Sequence, residues 1–447
     1  MLKSMINAHE NIQDTVDTSR KIGFPFLITC YILSIATQGF GDLHNAFFND
    51  SLSTYFIYVA FLFQLVTGML RFPKLLLGIY FYIFIQSYVI NLLNINVISS
   101  ARHFLGFILF SLSIFSFLSV YRNRILDVVR IYYKFVFGLG CLVFLQTALF
   151  SFFELSFKPQ QILLGSVIAN ENSPFEVVIL NFLPRAVGLS TEPAHYAIIA
   201  LPGVYLALLV LIGRGSQLKL GSKKIAVIIL IGFILSFSLV GYFCLFLCLI
   251  SIYANKSKLI VKAGLAIFLL AIIYIIYSSS LMSKLNGLPR LFSEGIESYE
   301  YTTSDLSSFA LASNLLVARE SLEKSHYLGT GFNTHKDSYD REIYRIFSKS
   351  QVIMELNRTG AGSLFIRIPS EFGIPGILFF FYFIFHFWIR KEITVSPLKY
   401  INNMSLIMII SYSLREESYI NIYLLIFMAL SYYTFISWRK KGTIIYE

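Results

Sequence analysis

The sequence has little charge. Asp, Glu, Lys and Arg make up 14% of its 447 residues, against about 25% in typical soluble domains. Hydrophobic residues reach 56%, with 44 Phe and 28 Tyr. A soluble protein of this length needs a polar surface that so few charged residues do not supply. The composition therefore excludes soluble enzymes, nucleic-acid binders and disordered scaffolds, and it indicates an all-α polytopic membrane protein.

Several chemical signatures are also missing. The four cysteines all lie within apolar stretches, so no disulfide framework is indicated. No His/Cys cluster has metal-ligand spacing, and no Walker-type loop or Gly-x-Ser-x-Gly motif occurs. We therefore expect no metal and no cofactor. The first twenty residues lack the apolar core of a removable signal peptide, so we expect the first span to stay in place.

Apolar stretches long enough to cross a membrane recur along the chain. They predict spans at 23–40, 53–70, 75–93, 101–120, 131–150, 194–213, 259–280, 372–389, 400–414 and 418–437. The stretch 225–253 is long for one helix and short for two. Because lysines flank it on both sides, we predict a hairpin of two short, re-entrant helices turning near 236–241. The total is about twelve segments.

The net charge of +11 is a sign of topology, because short loops rich in Lys and Arg stay in the cytoplasm. With both termini inside, 22 of the 36 basic residues fall in the predicted inner segments. The short outer loops at 41–52 and 94–100 contain none. The segment 281–371 holds ten Lys and Arg against eleven Asp and Glu, and long loops cross regardless of charge.

This topology divides the chain into five regions. They are N-terminal helices (1–150), an outer loop with short interfacial segments (151–193), central helices with the short hairpin (194–280), a large, partly helical outer loop (281–371) and C-terminal helices (372–447). In the large loop, the pattern of residues 304–325 predicts a helix that ends before Gly329. Function is expected in the two large loops, since long loops in compact folds are commonly functional.

Two motifs contain candidate bases. In the first, Arg185 is suited to grip phosphate, and Glu192 or His195 to accept a proton from a hydroxyl. The alternative is a capped helix start, with Glu192 near the positive end of the helix and a proline after it. In the second, Arg319 and His335 flank Gly329-Thr-Gly331, whose N–H groups can approach an anion. A plain turn with a solvated histidine is the alternative.

Arginine marks two further motifs near the outer ends of predicted spans. Arg358 and Arg367 precede the span at 372–389, either facing the mouth of the bundle or anchoring a helix end at the interface. Arg415 lies in the charged turn Ser413–Tyr419, where Glu416 or Glu417 is the simple partner. Arg290 is a candidate with no motif around it. Arginine without metal suits neutralisation of a pyrophosphate leaving group.

The four motifs together resemble the O-antigen polymerase and ligase superfamily of bacterial inner-membrane glycosyltransferases. The resemblance rests on R-A-V-G-L-S-T-E-P-A-H, R-E-S-L…L-G-T-G-F, E-F-G-I-P-G and L-R-E-E-S-Y. With the span count and the two outer loops, it covers nearly the whole chain. It implies a GT-C-like fold in the inner membrane, with two large periplasmic loops and the active face in the periplasm.

The resemblance also implies a reaction and its partners. A growing glycan leaves undecaprenyl pyrophosphate and joins the non-reducing-end sugar of a new lipid-linked repeat unit. Arg185, Arg319 and Arg358 would hold pyrophosphate, with Arg415 a further candidate. Glu192, His195 or His335 would orient or deprotonate the attacking hydroxyl. The expected partners are the lipid-linked oligosaccharide, membrane lipid and a chain-length regulator protein, and no nucleic acid.

Two alternatives stay open. A ligase would transfer finished glycan to lipid A–core, and a flippase would move the lipid-linked sugar across the membrane. Ligases of this superfamily carry a His-Asn pair before the E-x-G-x-x-G helix, and residues 359–363 read Thr-Gly-Ala-Gly-Ser without histidine. A transporter is expected to have charges within its spans and inverted halves, whereas the predicted spans are nearly free of charge.

Overall fold

The computed structural model describes residues 21–38, 52–92, 100–155, 177–179, 183–190, 192–253, 306–346, 356–390 and 396–444. Its helices are α1 (Lys21–Thr37), α2 (Leu52–Val66), α3 (Lys74–Leu92), α4 (Ser100–Val120), α5 (Ile125–Phe153), α6 (Pro193–Leu211), α7 (Lys223–Ile234), α8 (Leu239–Tyr253), α9 (Leu306–Lys324), α10 (His335–Ile346), α11 (Leu364–His386), α12 (Pro397–Arg415) and α13 (Ile422–Ile444). Two strand fragments, β1 (Val177–Ile179) and β2 (Leu183–Pro184), pair antiparallel. These residues are otherwise helices and their connections.

The helices have the length and composition of membrane-spanning segments. Within the described ranges, five stretches qualify: His103–Val120, Arg122–Phe153, Pro193–Leu211, Leu364–His386 and Ile422–Lys440. Shorter apolar helices occur at Lys21–Thr37, Leu52–Val66, Lys74–Gln86 and Leu239–Ile252. The chain is therefore a helical membrane protein, as its composition predicts. The count of about twelve segments stays a prediction, and the span expected at 259–280 lies outside the described residues.

The long apolar stretch at 225–253 contains two helices, α7 and α8, separated by residues 235–238. Ser236 closes the first with its hydroxyl on the carbonyl of Phe233, and Ser238 accepts a hydrogen bond from the N–H of Gly241 at the start of the second. Both serines are buried. Local hydroxyl bonds of this kind satisfy a helix break inside apolar surroundings.

α6 is the centre of the bundle. It packs against α5, α7, α8 and α12, and nearly all its side chains from Tyr196 to Val210 are buried. A helix that is apolar on every face is stable only when other helices surround it. α12 and α13 form a close antiparallel pair, and α13 also packs on α4.

The two ends of the bundle differ in charge. At one end Arg122, which precedes α5, donates to Ser437 near the end of α13 at 2.6 Å, and Arg130 donates to the carbonyl of Leu218 at 2.9 Å. At the opposite end the start of α6 meets the end of α12, where Arg415 pairs with Glu192. The candidate site residues of the first and fourth motifs lie at this second end.

Candidate functional site

The turn at Gly329-Thr-Gly331 is locked against a kink in α11. Gly373 interrupts that helix with φ 62° and ψ −156°, a conformation open essentially to glycine alone. The N–H groups of Thr330 and Gly331 donate to the carbonyls of Ser370 and Glu371 at 3.0 and 2.8 Å. Because these two N–H groups donate to α11, they are not free to bind an anion, and of the two interpretations of this motif the plain turn is favoured.

A buried ion pair holds the two segments together. Arg367 donates through Nε to Glu371 at 2.8 Å, and the two side chains are 8% and 0% exposed. Its other nitrogens donate to the backbone carbonyl of Glu417 at 2.7 Å and the side chain of Asn333 at 2.6 Å. The guanidinium carbon also lies 4.8 Å from the ring centre of Tyr419. Such complete pairing is what a buried charge requires, and it gives Arg367 a positioning role.

His335 begins α10 and is completely buried beside this ion pair. Its Nδ1 lies 3.0 Å from Ser370 Oγ and its Nε2 3.0 Å from Asn314 Oδ1. Because the Asn314 amide nitrogen already donates to two carbonyls, its oxygen is the acceptor and Nε2 carries the proton. Burial, with a smaller contribution from Arg367, lowers the pKa of His335 to about 3. The imidazole is neutral, and its contacts favour a structural role.

A second group of charges lies at the rim, where α6 begins and α12 ends. We call Glu192, His195, Arg415 and Glu416 the rim cluster. Arg415 contacts Glu192 at 2.5 Å, and His195 Nε2 lies 3.3 Å from Glu416 Oε1. Burial raises the pKa of Glu416, and His195 and Arg415 oppose that rise. Arg415 thus pairs across the bundle with a residue of the first motif instead of with its neighbours in the turn.

The segment that leads to the rim cluster is fixed by α5. The side-chain oxygen of Gln146 accepts from the N–H of Gly188 at 2.8 Å, and its nitrogen donates to the carbonyl of Gly188 at 2.8 Å. Ala186 and Val187 are buried there. Arg185 is half-buried and interacts electrostatically with Tyr242 of α8. Arg185 lies on this segment, which leads along the chain to Glu192 and His195.

The turn Ser413–Tyr419 connects the rim cluster with the buried ion pair. Ser363 Oγ donates to the carbonyl of Ser413, and the N–H of Leu364 to the carbonyl of Glu416, both at 2.8 Å. The carboxylate of Glu417 accepts from the N–H of Gly362 at 3.0 Å. Sequence reasoning missed the roles of Glu371, Glu416 and Glu417. All three lie in the motifs E-F-G-I-P-G and L-R-E-E-S-Y.

The remaining predicted residues lie apart from these groups. Arg319 is 70% exposed and pairs with Glu323 on its own helix at 2.9 Å. Arg358 makes a two-pronged contact with Asp340, at 2.5 and 2.7 Å. Surface pairs of this kind contribute about 1 kcal/mol or less. Arg290 lies outside the described residues.

Two cavities adjoin the charged groups. An apolar cavity of about 480 Å³ runs between α3, α4, α11, α12 and α13, from Phe332, Phe372 and Tyr419 at one end to Lys74 and Phe383 at the other. A smaller cavity of about 180 Å³ lies beside the rim cluster and includes His195 and Glu416. In the described part of the chain, no group of three His, Cys, Asp or Glu side chains is arranged to hold a metal ion.

Comparisons with protein-family models, curated proteins and solved structures find no match to this chain. The class of the protein therefore rests on its own sequence and fold. It is a helical membrane protein with two connected groups of charged side chains at one end of the bundle: the buried pair of Arg367 and Glu371, and the more exposed rim cluster.

Proposed function

We propose that this protein is an O-antigen polymerase. It transfers a growing glycan from undecaprenyl pyrophosphate to the non-reducing-end sugar of a new lipid-linked repeat unit. The reaction takes place at the periplasmic face of a bacterial inner membrane. Arg185 and Arg415 neutralise the pyrophosphate, and the carboxylates and imidazole of the rim cluster handle the attacking hydroxyl.

One observation carries the proposal: motifs far apart in sequence meet at one end of an apolar bundle. Glu192 and Arg415 are separated by 223 positions and form a direct ion pair. The arrangement suits an amphiphilic substrate, whose charged headgroup needs arginines and whose lipid tail needs an apolar surface. The 480 Å³ apolar cavity ends at Tyr419, which lies on the turn that carries Arg415.

The distribution of charge supports the proposed side of the membrane. Arg122 and Arg130 lie at the end of the bundle opposite the rim cluster, together with the basic connection around Leu218. Basic short loops stay in the cytoplasm. The rim cluster then faces the periplasm, where lipid-linked repeat units are joined.

The two alternatives are weaker. The segment 359–363 lacks the histidine of the ligase pattern, and Ala361 there is fully buried against Ala318 and Ile366. For a flippase, charges within the spans should line a pathway. The charges in α11, Arg367 and Glu371, lie in its first two turns and are bonded to each other and to the neighbouring turns.

Deletion of the gene in its source bacterium tests the proposal through the gel pattern of lipopolysaccharide. Loss of a polymerase leaves core with a single repeat unit, whereas loss of a ligase or flippase leaves bare core. Plasmids carrying Arg415→Ala or Glu192→Ala should leave the single-unit pattern at normal protein level. Arg124→Ala, which breaks a similar pair with Asp127 at the opposite end of the bundle, should restore long chains. Bare core after deletion would refute the proposal.

A further inference from the structure

The smaller cavity beside the rim cluster is lined by both polar and apolar side chains. Gln38, Ser190, His195, Tyr412, Glu416 and Asn421 supply amide, hydroxyl, imidazole and carboxylate groups. Ile198, Ile199 and Tyr423 complete the lining. At about 180 Å³, the cavity exceeds the space of a single water by roughly tenfold. It is smaller than the ~300–1,000 Å³ of sites for larger organic ligands. This size suits a ligand of one ring.

The chemistry of the lining selects among small ligands. It mixes hydrogen-bond donors and acceptors with aliphatic surface, as a sugar ring with hydroxyls at its edge and C–H groups on its face requires. The amide oxygen of Gln38 is buried and has no hydrogen-bond partner within the described residues. A buried acceptor without a partner costs free energy that a ligand hydroxyl would recover. Because its own anionic group is a carboxylate, the cavity does not favour a phosphate.

Glu416 is the group in this cavity best placed to take a proton. Its Oε1 lies 3.3 Å from His195 Nε2, and its side chain is 17% exposed. The N–H of Leu364 donates to the backbone carbonyl of Glu416 at 2.8 Å. This bond fixes the backbone position from which the carboxylate of Glu416 extends. A base of this kind must be positioned within hydrogen-bond reach of the hydroxyl that it deprotonates.

We propose that this cavity binds the sugar ring that carries the attacking hydroxyl, and that Glu416 accepts the proton of that hydroxyl. This inference rests on the proposed function. The hydroxyl oxygen forms a bond to the anomeric carbon of the donor glycan, while the bond from that carbon to the pyrophosphate oxygen breaks. The bonding pair leaves with undecaprenyl pyrophosphate. The proton moves to Glu416, and His195 at 3.3 Å provides the route by which it leaves.

The charges around Glu416 set its pH dependence. Its charged and titratable neighbours come from three elements. Glu192 lies just before α6 and His195 in its first turn, Arg415, Glu417 and Tyr412 lie at the end of α12 and in the following turn, and Tyr423 lies on α13. Burial raises the pKa of Glu416 most, while His195 and Arg415 lower it. A base must be ionised to act. The rate should therefore fall as pH decreases through this raised pKa, at a higher pH than for an ordinary carboxyl group.

The experiment has a binding arm and a rate arm, both on the full-length purified protein. The binding probe is the repeat-unit oligosaccharide released from the bacterium's own polysaccharide, with an unrelated oligosaccharide of equal length as control. Only the former should raise the thermal unfolding temperature saturably. Glu416→Gln, which keeps the shape of the side chain, should retain that shift, because a Gln amide also bonds to hydroxyls. The absence of a specific shift in the wild type would overturn the cavity as a sugar site.

The rate arm measures polymerisation of a lipid-linked repeat unit. General-base catalysis contributes about 10²–10⁴-fold, so Glu416→Gln should lower kcat by about 100-fold or more and remove the acidic limb of the pH profile. Glu323→Gln, an exposed carboxylate on α9, is the control and should behave as the wild type. Wild-type kcat in Glu416→Gln would overturn the role of Glu416 and leave the proposed function intact. A wild type that binds the oligosaccharide without polymerising would overturn the proposed function, and with it the role of Glu416 as a base, and would leave the cavity as a sugar site.

Discussion

Replacing Gly373 by Ala tests the contact between the kink of α11 and the Gly-Thr-Gly turn. A Cβ on Gly373 would collide with the backbone of Tyr327, Leu328 and Gly329, and no side-chain rotation relieves a collision with backbone. The positive φ adds strain of about 1–3 kcal/mol for a residue with a side chain, and the collision a further ~1–3 kcal/mol. We expect a loss of roughly 2–6 kcal/mol in the free energy of unfolding.

Thermal unfolding in detergent measures this loss with a thiol-reactive dye, because Cys30, Cys244 and Cys248 are buried. For a chain of this length we expect a decrease in midpoint on the order of 5 °C. Gly138→Ala is the matched control, since a Cβ there meets nothing within 4 Å, and it should leave the midpoint unchanged or slightly higher. Equal midpoints for the two variants would refute the reasoning.

Gly329→Ala perturbs the same contact from the other side, because its Cβ would collide with the backbone of Glu371 and Gly373. Two substitutions that break one contact are not additive. The double variant Gly329→Ala/Gly373→Ala should therefore lose less stability than the sum of the single losses. An additive double variant would show that the two glycines act at separate places.

Two further predictions concern the groups beneath that contact. Arg367→Met should destabilise the protein by about 3–5 kcal/mol, because it leaves the buried carboxylate of Glu371 without its partner. The double variant Arg367→Met/Glu371→Met should recover part of that loss in the same dye assay. Acidification should also destabilise the protein. The pKa of His335 is about 3 in the folded protein and about 6.5 in the unfolded chain. Between these two pH values, His335 binds a proton only in the unfolded state. Stability then falls by up to about 1.4 kcal/mol for each pH unit below 6.5. His335→Gln should have a shallower slope between pH 7 and 5, and equal slopes would contradict this assignment.

Local features of the fold were predictable from the sequence, because they depend on neighbouring residues. The pattern at 304–325 predicted a helix, and α9 spans Leu306–Lys324. The start of α11 was placed too late, at 372 instead of Leu364. Pro369, Gly373 and Pro375 are typical of a helix boundary, and Arg367 and Glu371 are costly in an apolar segment. The protein neutralises both charges by pairing them one helical turn apart, which moves the helix start eight residues earlier.

The ion-pair partners of the charged residues were not predictable from neighbouring residues in the sequence. Arg415 has Glu416 and Glu417 beside it in sequence, yet it contacts Glu192. In the turn Ser413–Tyr419 the two neighbouring carboxylates are already engaged, Glu416 with His195 and Glu417 with Gly362. These pairings depend on which helix ends lie next to each other in the folded protein. That arrangement is not predictable from any local pattern in a single sequence without internal repeats.

The turn Ser413–Tyr419 couples the position of the rim cluster to that of the buried pair Arg367–Glu371. Its backbone carbonyl at Glu417 accepts from Arg367, while its carbonyl at Glu416 accepts from the first N–H of α11. The side chain of Glu416 points the other way, to His195. A buried ion pair adds little net stability over apolar residues of the same volume. Arg367 and Glu371 therefore contribute mainly by positioning other groups. They fix the start of α11, and the start of α11 fixes the backbone from which the Glu416 side chain extends into its cavity.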